Sequence, residues 1–337
     1  MKRPWLLPVG AAFGAAGALR ARLYARGVLR HQALAGHVIS VGNLAVGGRG
    51  KTPLVARIAG LLQDSGQRVA ILSRGYGGTS PGAPLLVSDG EAVLATADVA
   101  GDEPVLLARA LPGVIVAVAT RRVEAGRLVE ARFGPCVHVL DDGFQHLALA
   151  RDLDLVAIEG EDLAGRPMPA GELRERPSAL ARADIVLLSA RNGAPLPAGL
   201  DAARTLRWHR RSLGFFSPAG LARSMPSRAF VVCAIAAPGR LISDLSALGC
   251  SVVGQALFRD HHRFTAGELV AAAAAARAAG AEAVVTTEKD AVRLGRAEPP
   301  GLAWPAAGPP LIVHRMEAVL EDEGRLRDVL LRAAPAA

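Results

Sequence analysis

The stretch from Val38 to Gly60, VISVGNLAVGGRGKTPLVARIAG, constrains the fold of this 337-residue chain more than any other. It consists of a short apolar run, a cluster of glycines and a helical pattern that starts at Lys51. The glycines, Gly47, Gly48 and Gly50, permit positive φ angles, so that successive backbone N–H groups can converge on an anion. The N-terminus of the following helix points at the same place. The stretch therefore predicts a phosphate-binding loop between a strand and a helix.

Lys51 and Thr52 follow the glycines directly. In loops of this kind the lysine reaches the β- and γ-phosphates of a nucleotide, and the hydroxyl is a ligand of Mg²⁺. Only three of the 39 basic residues of the chain are lysines, and arginine cannot easily replace a compact ammonium inside a phosphate-wrapping loop. Ala45 stands where the common G-x-x-x-x-G-K-[ST] spacing has a glycine, but the paired glycines further on can make the turn instead. We therefore expect an intact site for ATP and Mg²⁺.

From residue 37 onward, strand-like runs alternate with helical patterns. The runs HVISV, RVAIL, VIVAVA, CVHVL, LDLVAI and DIVLLS are apolar without alternation, which is typical of a parallel sheet covered on both faces. A second set, AFVVCAIA, CSVVGQALF, AVVTT and PLIVHR, follows further along the chain. We predict an α/β fold in which residues 36–212 form a doubly wound, mostly parallel P-loop domain and residues 213–337 form a second, smaller α/β domain.

Residues 1–35 form a separate N-terminal region. Residues 4–19 are apolar, and four arginines follow between positions 20 and 30. A membrane-spanning helix needs about 20 apolar residues, and this run is shorter and contains Pro8. The pattern favours a helix that lies in the membrane interface, apolar on one side and arginine-rich on the other. An amphipathic helix docked on the protein's own core is the alternative.

The net charge of +8 indicates an anionic partner, either a membrane surface, a phosphorylated substrate or a nucleic acid. Aromatic residues make up 4% of the chain, too few for the stacking platforms of a nucleic-acid binder, so we predict no nucleic-acid partner. The cysteines, Cys136, Cys233 and Cys250, are far apart in the sequence. We expect them to be buried, reduced thiols of a cytoplasmic protein.

Two acidic motifs could carry chemistry. The strand CVHVL ends in Asp141 and Asp142, and a carboxylate at the end of such a strand is a candidate ligand of Mg²⁺. In GDEP, Asp102 or Glu103 could accept the proton of an alcohol during phosphoryl transfer. An acid followed by Pro104 is also typical of the first turn of a helix, and spacing alone favours this cap over the base.

Three further motifs carry polar side chains. SRGYGG follows a predicted strand, so Arg74 and Tyr76 should lie on the same edge of the sheet as the phosphate loop. PAGELRER offers Arg174 and Glu175 on a loop. RDHHRF contains adjacent histidines, whose spacing is poor for zinc on a helix, so we expect one of them to orient a carboxylate or to cap a helix.

Taken together, VGNLAVGGRGKTP, SRGYGG, GDEP, DDGFQHLALARDLDLV, PAGELRE, FRDHHRFT and TTEKDAVRL resemble, in this order, the motifs of the tetraacyldisaccharide 4′-kinases, the lipid A 4′-kinases. The resemblance extends from the N-terminal region to Asp290. It implies a kinase at the cytoplasmic face of a Gram-negative inner membrane. It also implies that ATP phosphorylates the 4′-hydroxyl of an acylated glucosamine disaccharide 1-phosphate, with this lipid A precursor and the anionic membrane surface as partners.

The resemblance further implies roles for individual residues. Asp102 would be the catalytic base and His261 its partner, with Lys51 also in a catalytic role. Thr52, Asp141 and Glu103 would hold the metal ion. The positions that match the substrate cleft of the family are Asn43, Arg74, Tyr76, Arg122, Asp142, Gln145, His146, Arg174 and Glu175.

The main alternative is a nucleotide-switch ATPase of the G-G-x-G-K-T group, which uses ATP to change shape at a membrane. Some proteins of this group carry a signature lysine just before the first glycine, where this chain has Val46. A carboxylate in GDEP that suits a hydroxyl acceptor also argues for a kinase.

Overall fold

The structure, a computed structural model, describes residues 4–47, 50–79, 83–190, 194–294 and 304–335. The elements of the first half are, in chain order, α1 (Leu7–Ala25), β1 (Val38–Asn43), α2 (Lys51–Asp64), β2 (Val69–Ser73), β3 (Leu85–Asp89), α3 (Ala97–Ala100), α4 (Asp102–Ala110), β4 (Ile115–Val118), α5 (Arg122–Phe133), β5 (Val137–Asp141), β6 (Leu153–Glu159) and β7 (Ile185–Ser189).

The elements of the second half are β8 (Thr205–Phe216), β9 (Ala222–Arg223), β10 (Arg228–Cys233), α6 (Pro238–Ala247), β11 (Ser251–Leu257), α7 (Ala266–Ala278), β12 (Ala283–Thr287), α8 (Glu288–Leu294), β13 (Leu311–Leu320) and α9 (Glu323–Ala333). All of the strands join one sheet in the order β11-β10-β12-β13-β8-β7-β6-β1-β5-β2-β4-β3, and β9 pairs with β8. The pairs are parallel except for β3–β4, β8–β13 and β8–β9. The prediction of an α/β fold with a mostly parallel sheet is thus confirmed.

Helices cover both faces of the first half of the sheet, which is why its strands lack alternation. On one face, Ile39 and Ile71 pack with Leu54 of α2 and Leu107 of α4 in one core cluster. On the other face, their neighbours in the strands pack with Val129 of α5 in a second cluster. Because each strand is buried on both sides, apolar residues occupy consecutive positions.

The order of the strands brings three carboxyl ends together. β1 lies between β6 and β5, and β5 lies next to β2, all parallel. The residues that follow these strands therefore meet at one edge of the sheet, where parallel α/β sheets bind ligands.

β8 was not predicted from the sequence. Its central residues, from position 209 to 213, are largely polar and partly exposed, so it contains no long apolar run. The predicted boundary between residues 212 and 213 falls inside this strand, and the sheet continues through it. The division into two domains stays a prediction.

α1 docks on the segment around residues 167–176. A Cβ on Gly10 would lie 2.8 Å from the carbonyl oxygen of Pro167, and one on Gly14 would lie 2.9 Å from Cγ of the same proline, so these glycines permit the close approach. Arg176 donates a hydrogen bond of 2.9 Å to the carbonyl of Ala11. Within α1 the arginines follow the apolar residues along the axis. The expected separation of apolar and basic residues onto two sides of the helix is therefore wrong.

No helix in the described ranges combines the length and the apolar character that crossing a bilayer requires. The three cysteines are buried and unpaired within the described residues, as expected. Burial raises the pKa of Cys136 and of Cys233 to about 12, so both thiols are protonated at neutral pH.

Candidate active site

A cavity of about 1100 Å³ opens at the edge of the sheet where β1, β2 and β5 end. Its opposite wall comes from residues 235–244, 260–261 and 287–289 of the second half of the chain, and α1 contributes Phe13 and Arg20. The predicted site residues that line it are Gly47, Gly50, Lys51, Thr52, Arg74, Tyr76, Glu103, Arg122, Asp141, Asp142, Gln145, His146, Arg174, Glu175 and His261.

The glycine-rich turn adopts backbone conformations that favour glycine. Gly47 has φ of 94° and Gly50 has φ of 73°. A Cβ at Gly50 would also lie 2.8 Å from the ring of Trp208, so this position excludes side chains. Gly48 and Arg49 lie outside the described residues. The turn leads directly into α2, whose first residue is Lys51.

The segment containing PAGELRER braces the start of this turn. The amide of Val46 donates to the carbonyl of Glu172 at 2.8 Å, and the amide of Arg174 donates to the carbonyl of Leu44 at 2.7 Å. These backbone bonds hold the arginine beside the glycine-rich turn, although more than 120 residues separate them in the chain.

Lys51 lies in a network of polar groups at the ends of β1 and β5. Its Nζ donates to Oδ1 of Asp142 at 2.5 Å and to Oδ1 of Asn43 at 3.3 Å. Arg174 donates to Oδ2 of the same aspartate at 2.7 Å. Burial acts to raise the pKa of Asp142, but the charges of Lys51 and Arg174 outweigh it and the pKa lies below its ordinary value. Asp142 is therefore ionised, and it holds both cations at the cavity wall.

Asp141 is the last residue of β5 and is buried at the base of the cavity. Its Oδ2 accepts a hydrogen bond of 2.9 Å from the hydroxyl of Ser73. Burial, and next the negative charge of Glu103, raise its pKa above the ordinary value, although Lys51 acts in the opposite direction. A positive charge placed between Asp141 and Glu103 would therefore be favourable.

A positively charged wall surrounds His146. The pKa of this histidine is lowered to about 4, mostly by burial and then by the charges of four arginines, which are, in decreasing order, Arg122, Arg151, Arg20 and Arg74. Within the described part of the chain, Nε of Arg122 is buried without a hydrogen-bond partner. Burial also lowers the pKa of Arg122, against the effect of the nearby aspartates. Such a concentration of positive charge suits an anionic ligand.

Asp102 is the first residue of α4, and it does not cap this helix through its side chain in the described structure. Its Oδ2 lies 3.1 Å from Nδ1 of His261, and its Oδ1 accepts a hydrogen bond from Arg293. The first turn of a helix that the spacing indicated is therefore confirmed, whereas a cap by the Asp102 side chain is wrong. Asp102 is 1% exposed and lies behind His261, which faces the cavity. His261 has φ of 60°, an unusual value for a residue with a side chain.

Two residues of α8, Lys289 and Arg293, lie within the motif TTEKDAVRL, but the sequence predicts no role for them. Nζ of Lys289 lies 3.1 Å from Nε2 of His261, and it also contacts Asp260 and Glu103. Burial acts to lower the pKa of Lys289, but the charges of Glu103 and Asp260 outweigh it and the pKa lies above its ordinary value. The signal that singled out Lys51, a lysine in an arginine-rich chain, applies equally to Lys289.

The remaining predicted residues have varied surroundings. Gln145 donates to the carbonyl of Asn43 at 2.9 Å, and its own carbonyl accepts a hydrogen bond of 3.0 Å from Arg20 of α1. Glu175 is buried and pairs with Arg182 at 3.0 Å. Tyr76 is 65% exposed, and its ring meets that of His261 edge-on at 5.0 Å. Asn43 and Asp102 lie behind the cavity lining, where they contact Lys51 and His261, respectively.

Comparison with known proteins places these motifs in a family. The model of the tetraacyldisaccharide-1-P 4′-kinase family matches residues 2–334. A tetraacyldisaccharide 4′-kinase of Anaeromyxobacter dehalogenans (strain 2CP-C) is 46% identical over 332 residues, which cover 94% of this chain and 86% of that protein. The protein of the same name in Geobacter metallireducens is 43% identical over 284 residues, which cover 82% and 84% of the two chains.

The fold is also similar to a crystal structure described as the "apo" form of LpxK from Aquifex aeolicus in complex with ATP. The TM-score is 0.80 at 32% sequence identity, and the match covers 99% of this chain and all of the other.

Proposed function

The chain belongs to the tetraacyldisaccharide-1-P 4′-kinase family, and we propose that it transfers the γ-phosphoryl group of ATP to the 4′-hydroxyl of an acylated glucosamine disaccharide 1-phosphate, a lipid A precursor. One observation carries the proposal for this chain. A single cavity is lined both by the glycine-rich turn with Lys51 and by His261, which is hydrogen-bonded to the buried carboxylate of Asp102. A phosphate donor and a hydroxyl acceptor can thus bind in the same cavity.

The ATP phosphates would bind at the glycine-rich turn as in a P-loop. Backbone N–H groups of Gly47, Gly48 and Gly50 and the N-terminus of α2 would surround them. Lys51, whose ammonium lies at the cavity wall, would exchange its contact with Asp142 for one with the β- and γ-phosphates. The Asp142–Arg174 pair would then remain as the support of the loop.

The residues at the base of the cavity fit a magnesium ion. Within the described residues, no group of three or more histidine, cysteine or acidic side chains could hold a metal alone, but Mg²⁺ in nucleotide sites typically takes one or two carboxylates together with phosphates and waters. Asp141, Glu103 and the hydroxyl of Thr52 supply oxygen donors, and the negative charge of Glu103 acts to raise the pKa of Asp141, so a cation between the two carboxylates would be favourable. Bound there, the ion would neutralise charge on the transferring phosphoryl group.

Asp102 would accept the proton of the 4′-hydroxyl, with His261 as its partner. The two side chains share a hydrogen bond of 3.1 Å and would act as one unit. His261 faces the cavity and Asp102 lies behind it, so the hydroxyl would approach from the side of the histidine. Nε2 of the imidazole would then take up the hydroxyl proton while Nδ1 passes its own proton to the carboxylate of Asp102.

The disaccharide would occupy the part of the cavity between the positively charged wall and α1. The positively charged wall suits an anionic sugar phosphate, and Phe13, Ala16 and Gly17 of α1 provide an apolar surface next to it. The substrate-binding residues under this proposal are Asn43, Arg74, Tyr76, Arg122, Asp142, Gln145, His146, Arg174 and Glu175.

We also propose that the protein works at an anionic membrane surface, on the cytoplasmic face of the inner membrane, through α1. Trp5, just before α1, and Val9, within it, are 73% and 53% exposed, and arginines follow towards the end of the helix. A lipid substrate could then enter from the bilayer beside the helix that lines the cavity. Residues 213–337 would form the smaller domain that supplies the opposite wall.

Incubation of the protein with Mg-ATP and a disaccharide 1-phosphate lipid tests the proposal. A bisphosphate lipid is the expected product, identified by mass spectrometry, and its formation should depend on both substrates. ATP turnover in the absence of the lipid acceptor, with no bisphosphate formed in its presence, would instead support the nucleotide-switch ATPase.

A further inference from the structure

Arg122 is a buried arginine without an acidic partner. It is 5% exposed, yet it lines the cavity just after β4. Its Nη1 donates to the carbonyl of Thr120 at 3.2 Å. Among the residues that the structure describes, its Nε has no hydrogen-bond partner, and no carboxylate lies within ion-pair distance of the guanidinium. Buried charges in proteins are ordinarily paired, so these surroundings favour an anionic ligand.

The position of Arg122 in its helix adds to this preference. Arg122 is the first residue of α5, which has 12 residues. The N-terminus of a helix carries a partial positive charge, so a cation there is unfavourable and an anion is favourable. Glu124, the acid of the first turn, pairs instead with Arg121 at 3.0 Å. The helix end and the guanidinium therefore favour an anion at the same place.

The part of the cavity that Arg122 reaches is the phosphate end. In the sheet, only β2 separates β4, which Arg122 follows, from β5, which ends in Asp141. Burial lowers the pKa of Arg122, and the charges of Asp141 and then of Asp142 act to raise it, so both carboxylates are within electrostatic reach. Asp142 already holds Lys51 and Arg174. Arg122 thus lies close to where the terminal phosphate of ATP would bind beside Lys51.

We propose that Arg122 is a catalytic residue, whose guanidinium binds the γ-phosphoryl group of ATP and remains bound to it during transfer. This role rests on the proposed function, and it narrows the ligand of Arg122 from the disaccharide to the phosphoryl group in transit. In that step the bond between the γ-phosphorus and the bridging oxygen of ADP breaks, and a bond from the 4′-oxygen to the γ-phosphorus forms. The hydroxyl proton goes to the Asp102–His261 pair, and ADP leaves.

The chemistry of the guanidinium suits this role. During transfer, negative charge is spread over the three non-bridging oxygens of the phosphoryl group. A guanidinium presents several N–H donors in one plane and can donate to two such oxygens at once. Because Arg122 is held by burial and by Thr120, its donors need little rearrangement when the phosphoryl group moves.

The phosphate of the lipid substrate is the other anion that Arg122 could bind. In the proposed substrate, the 1-phosphate and the 4′-hydroxyl are on different sugars, at opposite ends of the disaccharide. When the 4′-hydroxyl is at the transfer site, the 1-phosphate is therefore remote from it. An arginine within reach of Asp141 and Asp142 is better placed for the γ-phosphoryl group.

The first measurement compares two nucleotides by calorimetry. Loss of a charge-assisted hydrogen bond typically costs roughly 10–100-fold in affinity, and we expect a loss in this range when Arg122→Met binds the nonhydrolysable ATP analogue AMP-PNP with Mg²⁺. The affinity for Mg-ADP, which lacks the γ-phosphate, should stay within about twofold. Arg57→Met is the matched control, because Arg57 pairs with Glu323 outside the cavity lining. An unchanged affinity for AMP-PNP, or an equal loss for both nucleotides, would overturn the proposal.

Kinetics with two acceptors separate the γ-phosphoryl group from the 1-phosphate. Loss of one preorganised donor to a developing charge typically costs ~10²–10³-fold in kcat, and we expect this loss in Arg122→Met on the disaccharide 1-phosphate lipid. The same factor should apply to an acceptor from which the 1-phosphate has been removed. Arg122→Lys keeps the charge without the planar donors and should recover only part of kcat. A loss confined to the phosphorylated acceptor would assign Arg122 to the 1-phosphate and contradict the proposed role.

Thermal unfolding distinguishes the catalytic role from a structural one. Replacement of a buried charge by an apolar side chain of similar volume is often neutral or stabilising, so the unfolding midpoint of Arg122→Met should be at least that of the unmodified protein. A midpoint several degrees lower would assign Arg122 to the stability of the fold and overturn the proposal.

The nucleotide comparison is independent of the proposed function, since it needs no lipid. Weaker binding of AMP-PNP but not of ADP would support the role of Arg122 even if no lipid is phosphorylated. Conversely, a bisphosphate product together with unchanged AMP-PNP affinity in Arg122→Met would leave the proposed function intact and overturn the role of Arg122.

Discussion

The two sides of the cavity are built in different ways. On one side, where we propose that phosphate binds and which we call the phosphate side, the glycine-rich turn, Lys51 and Asp142 follow the ends of neighbouring strands, so that backbone geometry positions the groups. On the other, where we propose proton transfer and which we call the proton-transfer side, Asp102 meets His261 and Arg293, which are 159 and 191 residues away in the chain. One side therefore depends on local backbone conformation, and the other depends on charged side chains brought together by the whole fold.

Single substitutions on the two sides should affect activity differently, and the largest loss of kcat is expected for a substitution of Asp102. Asp102→Ala should lower kcat by ~10²–10⁴-fold, the usual range for loss of a general base. The affinity for Mg-ATP should remain, because Asp102 lies behind the cavity wall. Bisphosphate formation measures kcat, and calorimetry measures ATP binding.

Asp98→Ala is the matched control for this prediction, since Asp98 is an exposed acid on the preceding helix. His261→Ala sharpens the result, because an equal loss in both variants would mean that the pair works as one unit. If kcat of Asp102→Ala stays near that of the control, Asp102 has no role in proton transfer.

The stability of the protein should also depend on pH, through a buried carboxyl on α8, the helix that carries Arg293. Burial raises the pKa of Asp290 in α8 from 3.8 to about 6, although hydrogen bonds from the Ala234 amide and the Thr287 hydroxyl act in the opposite direction. Its folded pKa lies above the unfolded one, so the folded state holds the proton more tightly. The protonated carboxyl contributes full stability below pH 4, and this contribution is lost as pH rises through 6.

We expect the free energy of unfolding of the unmodified protein to fall by on the order of 2–3 kcal/mol more than that of Asp290→Asn between pH 4 and pH 7. Urea unfolding curves at a series of pH values measure this difference. The asparagine keeps an oxygen that can accept both hydrogen bonds, so the comparison isolates the charge. Parallel pH profiles for the two proteins would contradict the prediction.

The difference between the two sides also explains how much could be predicted from the sequence. The strand, the turn and the start of α2 at Lys51 were predicted because contiguous residues encode them. The contact between Asp102 and Arg293 was not predicted, since nothing in GDEP indicates which distant segment will pack on Asp102. β8 was not predicted because polar residues at its centre interrupt any long apolar run. Local motifs can be predicted from a sequence, whereas contacts between distant segments depend on the order of strands in the sheet.

On the phosphate side, Lys51→Met should act chiefly on nucleotide binding. Loss of a charge-assisted hydrogen bond typically costs ~1.5–3 kcal/mol, or roughly 10–100-fold in affinity. Calorimetric titration with Mg-ATP measures this effect, and Arg57→Met on the same helix is the control. A variant that binds ATP normally but loses kcat would break the proposed contrast, because Lys51 would then act like Asp102.

The smallest effect is expected for substitutions outside both sides of the cavity, in the N-terminal segment formed by residues 4–25. Deletion of residues 1–30 would remove Phe13 and Arg20 from the cavity wall, so point substitutions are the cleaner test. Trp5→Ser with Val9→Ser removes exposed apolar side chains, each worth up to ~1.5–3 kcal/mol if buried in an apolar phase. Because interfacial burial is partial, we expect about tenfold weaker partition into anionic vesicles, measured by flotation, with unchanged ATP affinity.

Val270→Ser is the matched control for the membrane prediction, since Val270 on α7 is 58% exposed and Val9 is 53% exposed. Loss of apolar surface in general would weaken partition in both proteins, whereas docking through the N-terminal segment would weaken it only in the Trp5 and Val9 variant. If that variant floats with vesicles as well as the control does, the exposed apolar residues of this segment do not anchor the protein. Access of a lipid to the cavity would then have to be explained without them.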